Sequence, residues 1–147
     1  MNYWDDIHPA FESAEAMLAA VNDDMTQLPE AVQAFLSVYG AQGVIDNGGL
    51  EYFFEADWDG TPPYDDVIAA FETIGCSEQA AALRDVVGTF PFVEPHLHRD
   101  KRQAFMDAHY DAEVFGVPEW RSAYLMFNDK VWEKLAEYCE AHRDEFA

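Results

Sequence analysis

Apolar residues recur at spacings of three and four along nearly the whole chain, and no stretch alternates convincingly with a period of two. A strand needs that alternation, whereas a helix needs an apolar stripe about every 3.6 residues, so the pattern restricts the chain to packed helices. Phe11, Ala14, Leu18 and Val21 mark a first helix, with Pro9 expected at its first helical position. Pro29 opens a second, with Val32, Phe35, Leu36 and Tyr39 inward and Gly40 and Gly43 read as permitting close helix contact. Asn47-Gly48-Gly49 would signal a hairpin between β-formers, but Leu50, Phe53, Phe54 and Trp58 follow at helical spacing. The glycines are therefore expected to end one helix in left-handed geometry and start a third.

Gly60, Pro62 and Pro63 make a loop, and a fourth helix carries Tyr64, Val67, Ile68, Phe71 and Ile74 to Gly75. Ser77 is a good N-cap for a fifth, with Leu83, Val86, Val87 and Phe90. The stretch from Thr89 to Asp100 is the longest irregular one, residues 101–110 look helical, and Phe115-Gly116-Val117-Pro118 interrupts. After it Trp120, Tyr124, Phe127, Val131, Leu135, Tyr138 and Cys139 describe one helix, or two joined near Asn128-Asp129. The expectation is an all-α fold: a single domain over residues 1–147, a bundle of six to eight helices without repeat or linker.

A chain of 147 residues, half of them hydrophobic, buries a real core, which excludes a disordered acidic tail. The charge is extreme nonetheless: 29 Asp and Glu against 8 Lys and Arg, a formal net of -21. No Lys or Arg precedes Arg84, while 16 acidic residues do. Such a field repels nucleic acid and anionic lipid, which are bound through Lys and Arg, and it attracts basic proteins and cations. Its plainest use is solubility, or adaptation to a salty interior. No run approaches the ~20 apolar residues of a membrane span, and the N-terminal residues resemble no targeting segment, so a cytoplasmic location is expected. Cys76 and Cys139 form no CxxC pair and read as reduced thiols on packed helical faces.

Few patterns carry chemistry. Glu55, Asp57, Asp59 and Asp66 match positions one, three, five and twelve of a calcium loop around Gly60. Glu at position one, the short Asp66 and the stiff Pro62-Pro63 oppose that reading. His96-x-His98, with Asp100 and His109, falls short of the orderly ligand spacing of a zinc site. No GxSxG, HExxH or phosphate-binding glycine loop occurs, and carboxylates this abundant lose their value as a catalytic signal. No enzyme, metal or cofactor is expected. Trp58, between Asp57 and Asp59, is a candidate partner anchor.

From Asn47 to Phe90 the Asn-Gly-Gly turn, Tyr52-Phe53-Phe54, Gly60, Phe71-x-x-Ile74-Gly75-Cys76 and Glu78-x-Ala80 form a set. This set resembles the DNA-mimic-protein-nineteen-like family, with Leu50 and Tyr52 as departures from its usual pattern. The resemblance implies an all-helical fold, room for a homodimer and, for the founding member, an acidic surface that imitates DNA and occupies a DNA-binding protein. Carboxylates suited to that task are Glu51 and Glu55, one turn or about 6 Å apart and read as facing away from the apolar stripe, followed by Asp57, Asp59, Asp65 and Asp66. With Trp58 these make the expected partner-binding set; Asp5, Asp6, Glu12, Glu15, Asp23 and Asp24 extend it. The expected function is a non-enzymatic acidic binding protein for the basic face of a DNA-binding protein. The alternatives are an immunity or antitoxin-like inhibitor of a basic protein, and a helical domain whose charge serves solubility.

Overall fold

In the computed structural model, residues 2–56, 62–127 and 129–146 are described. The first helix, α1 (Trp4–Ala20), starts where the Asn2 side chain accepts the Trp4 N–H at 3.0 Å. Pro9 is thus inside α1 rather than at its start. A short polar side chain at Asn2 supplies the start signal, and the ring at Pro9 only removes one N–H from the second turn.

Pro29 then leads into α2 (Glu30–Glu55), the long central helix, which packs against α1, α3 (Tyr64–Thr73), α5 (Arg99–His109) and α6 (Lys130–Ala141). At Gly49 the backbone leaves helical geometry, with φ 78° and ψ -174°, so α2 is two helical pieces meeting at the expected glycine junction. Only glycine adopts that conformation at low cost. Gly48 is required for a different reason, since a Cβ there would lie 2.6 Å from the Cβ of Tyr52. Gly40 and Gly43 do not serve close helix contact: no atom of another described element lies within 4 Å of a Cβ built at either.

The α3 helix ends at Gly75, at φ 94°, and α4 (Ser77–Val87) follows with Cys76 rather than Ser77 as its flanking residue. Phe90 lies beyond α4 but is buried. With four short 3₁₀ turns, the described residues form an all-α bundle, six α-helices of which α2 is kinked in two. Among those residues the one β feature is an isolated bridge between Asp111 and Gly116.

The region after Pro118 is where the helical pattern misleads. Residues Arg121–Met126 form a 3₁₀ segment, not a turn of α-helix, and α6 begins separately at Lys130. Three residues per turn instead of 3.6 shift the faces. Met126 becomes fully buried, while Tyr124 and Phe127, expected inward, stand 72% and 53% exposed.

The core centres on aromatic packing at the end of α2. The Phe54 ring meets Tyr64, Phe90 and Trp120 at 5.1 to 5.2 Å, the first two edge to face. Each such pair contributes about 0.5–1.5 kcal/mol beyond area burial. Trp120 is fixed in turn by donating its Nε1–H to Thr89 Oγ1 at 2.8 Å. The negative charge stays out of this interior. Every described Asp and Glu is exposed, save the half-buried Asp6, Glu51 and Asp111.

Candidate interaction surface

The acidic residues around the glycine junction do different jobs. Asp46 is structural: its carboxylate accepts from Gln42 Nε2 and Trp132 Nε1, both at 2.8 Å, while Gln42 also donates to the Met126 carbonyl at 2.7 Å. These bonds tie α2 to α6 and to the 3₁₀ segment before it. Glu51 is less open to water than Glu55. It is half-buried, its Oε1 3.0 Å from where a Gly116 Cβ would stand and its Oε2 3.1 Å from that of Gly49.

Glu55 is exposed, as are Asp65 and Asp66 in the first turn of α3. The contact of Phe54 with Tyr64 draws that end of α2 to the start of α3. Glu55, Asp65 and Asp66 are thereby brought to neighbouring helix ends, and Glu51 is turned toward the loop at Gly116 instead. Asp57, Trp58 and Asp59 lie outside the described residues, so the anchor at Trp58 and the calcium-loop positions at Asp57 and Asp59 have no structural account here.

Acids in the first turn of a helix complement its dipole, and Asp5, Asp6, Glu30, Asp65, Asp66, Glu78 and Asp100 all occupy such places. Part of the acidic surface is therefore helix-stabilising. The opposite ends are poorly served in sequence, because the last turns of α1, α2, α3 and α6 hold no basic residue. Tertiary structure compensates at α2. Arg102, fully buried, donates to the carbonyls of Phe54 and Ala56, and Arg99 donates to that of Glu55 at 2.9 Å.

Among the described residues Arg84 pairs with Glu72, Lys134 with Glu137 and Arg143 with Glu140, while His109 and His142 hydrogen-bond Glu119 and Glu145. The hydrogen bond from His109 holds the Glu119 carboxyl below its ordinary range. Asp5, Asp6, Glu12 and Glu15 on α1, and Asp65 and Asp66 on α3, have no ion pair among the described residues.

Among the described residues no three His, Cys, Asp or Glu side chains stand close enough together to hold a metal ion. His109 stacks on Phe105, and His96 and His98 meet Tyr64 and Phe92 edge-on. Cys76 and Cys139 are buried free thiols. Burial pushes Cys76 up to about 11, and burial with the nearby Asp6 charge pushes Cys139 up to about 12. No described helix is long and apolar enough to cross a membrane.

Among the described residues, two clefts on the surface are notable. One, of about 380 Å³, lies between α1 and the C-terminal residues, with Asp5, Asp6, Cys139, Arg143 and Phe146 on its walls. The second, of about 480 Å³, is walled by Leu50, Glu51, Val114, Phe115, Trp120 and Phe127, among others. Sequence reasoning missed this second cleft. Its one signal was the Phe115-Gly116-Val117-Pro118 break, which takes Phe115 out of any helical stripe.

The fold and surface define an acidic all-helical domain whose carboxylates lie mostly on exposed helix surfaces. The chain belongs to the DMP19-like protein family, whose profile matches residues 26–142. That match begins in the 3₁₀ turn before α2 and ends just past α6, so the acids of α1 precede it. No curated protein and no solved structure matches the chain.

Proposed function

We propose that this domain is a non-enzymatic binding protein that occupies the basic face of a DNA-binding protein, with carboxylates standing in for phosphates. The observation that carries the reading is the set of Asp5, Glu12 and Glu15 on α1 and Asp65 and Asp66 on α3, all exposed and without an ion pair among the described residues, in residues 1–83, which hold no Lys or Arg. Membership of the DMP19-like family supports it. Glu55, Asp65 and Asp66 contribute from the junction of α2 and α3, together with Asp57, Trp58 and Asp59 of the connecting segment.

Charge density sets how the surface works. From Asp5 to Glu15 helix α1 advances about 15 Å, which gives its four carboxylates one charge per roughly 4 Å. Duplex DNA carries one per about 1.7 Å of axis. A single helix therefore falls short by more than half, and imitation requires several helices acting together. Removing one carboxylate then has little effect on affinity, while salt weakens binding steeply.

The test is a low-salt pull-down from bacterial lysate, eluted with a salt gradient and challenged with duplex DNA. A captured basic protein released by DNA is the expected result. A partner that DNA leaves in place, and that salt does not release, identifies a dedicated inhibitor instead; no capture at any salt leaves solubility as the role of the charge.

A further inference from the structure

The second cleft is built differently from the rest of the surface. Its Glu51 carboxylate is half-buried between two glycines, at 3.0 Å and 3.1 Å from where their side chains would begin, and it makes no hydrogen bond or ion pair with a described residue. Any larger residue at Gly116 would crowd it. The walls are otherwise mostly apolar, and three of their large apolar residues face water: Phe115 is 83% exposed, Val114 60% and Phe127 53%.

Phe115 is moreover held at φ 53°, a conformation rare for a bulky residue. The loop that holds it is closed by the bridge between Asp111 and Gly116, with Asp111 N–H donating to the Gly116 carbonyl at 2.8 Å, and is braced by Asp111 Oδ1 accepting the Glu113 N–H at 2.9 Å. Strain without burial gives the isolated domain nothing back. An aromatic ring held at positive φ in a hydrogen-bonded loop, on the same cleft as a half-buried carboxylate with no partner among the described residues, fits an anchor for a cation with an apolar collar.

We infer that this cleft binds a polypeptide segment presenting a lysine or arginine flanked by apolar side chains, the cation meeting Glu51 and the Phe115 ring. A second copy of the chain is the poorer occupant, because two molecules of net charge -21 repel. The exposed Arg121 also borders the cleft. In open water its charge is screened more than that of the half-buried Glu51. The inference holds whether or not the exposed carboxylates elsewhere imitate DNA.

The probe is a capped pentapeptide Ala-Leu-Arg-Leu-Ala, compared with versions carrying Glu or norleucine for Arg and followed through the amide signals of Gly49, Phe115 and Gly116. The arginine peptide should shift those signals saturably. Its affinity should fall at least tenfold in Glu51→Gln and in Phe115→Ala, and by less than twofold in the double variant Glu12→Lys/Glu15→Lys. Both cleft substitutions are at positions where the fold demands nothing of the lost group, so folding is retained, and unchanged amide spectra elsewhere verify it. Equal response to the three peptides, no response to any, or insensitivity to Glu51→Gln overturns the inference. Loss as large in Glu12→Lys/Glu15→Lys as in Glu51→Gln overturns it in favour of general charge attraction. A concentration-dependent dimer that Phe115→Ala dissociates, without peptide binding, overturns it in favour of a second copy.

Discussion

Arg102 Nε donates to the carbonyl oxygen of Phe54 at 2.8 Å, joining α5 to the last turn of α2 across 48 positions of sequence. The same guanidinium reaches Ala56 at 3.1 Å, Pro95 at 2.7 Å and His96 at 3.1 Å. It thus satisfies the open carbonyl end of one helix and organises the irregular stretch before another. Replacing it by Met leaves those carbonyls buried without a donor, and Arg102→Met should cost about 3–5 kcal/mol. Urea unfolding followed by far-UV circular dichroism measures this. Arg102→Lys, with a point charge in place of a planar fork, should fall between. An unchanged midpoint in Arg102→Met would show that the carbonyls are satisfied without it.

The glycines of α2 should respond in opposite directions. Gly43 has helical geometry and open space, so Gly43→Ala should stabilise by about 0.4–1 kcal/mol through the unfolded chain. Gly49 at φ 78° and ψ -174° lies where only glycine is at ease, and Gly49→Ala should cost about 1–3 kcal/mol. The difference between the two urea midpoints is the readout. A destabilised Gly43→Ala would reinstate the close helix contact that the geometry denies.

Helical spacing was enough to read the bundle and the glycine junction, since each rests on local rules, but the stretch before α5 is shorter than expected and the longer break in α-helix lies between His109 and Lys130. What escaped was tertiary. Arg102 stood in the sequence as one of three clustered bases, and nothing local marks it as the buried donor to a helix end 48 positions earlier. Glu51 falls on the polar side of its own helix, yet the loop at Gly116 covers it. Tyr124 and Phe127 kept helical spacing while the backbone took 3₁₀ geometry, so the period was applied to the wrong element. The partner-binding set was legible as charge; its grouping was not, because chain neighbours such as Glu51 and Glu55 meet different surroundings.

The two thiols should be silent in the folded protein. With Cys76 raised to about 11 and Cys139 to about 12, from an ordinary 9.0, little thiolate exists at pH 8. The thiolate fraction at Cys76 is lower by roughly a hundredfold than in an open chain. A disulfide-exchange reagent should label both rapidly in urea and neither promptly without it. The stability sign follows from the raised values. Below pH 9 neither state ionises and nothing is lost; between about 9 and 12 the unfolded chain ionises first, so stability falls. The double variant Cys76→Ala/Cys139→Ala should lose less melting temperature than the parent over that range. Prompt native labelling would contradict the burial.

Salt should stabilise this protein, against the habit of surface ion pairs. The Arg84–Glu72, Lys134–Glu137 and Arg143–Glu140 ion pairs among the described residues lie at the surface, contribute little, and are weakened by salt. Opposing them is self-repulsion from a net charge of -21, whose reach is cut from about 30 Å at 0.01 M ionic strength to about 3 Å at 1 M. Unpaired carboxylates outnumber paired ones, and those of α1 sit on a single helix with no base of its own, so relief of repulsion wins. The melting temperature should rise by roughly 5 °C over that range of sodium chloride, since each kcal/mol corresponds to a few degrees in a domain of this size. Glu12→Lys/Glu15→Lys removes four units of negative charge at the source. It should melt higher than the parent at low salt and respond to salt less, and a steeper response would mean that the α1 carboxylates are not where the repulsion is concentrated.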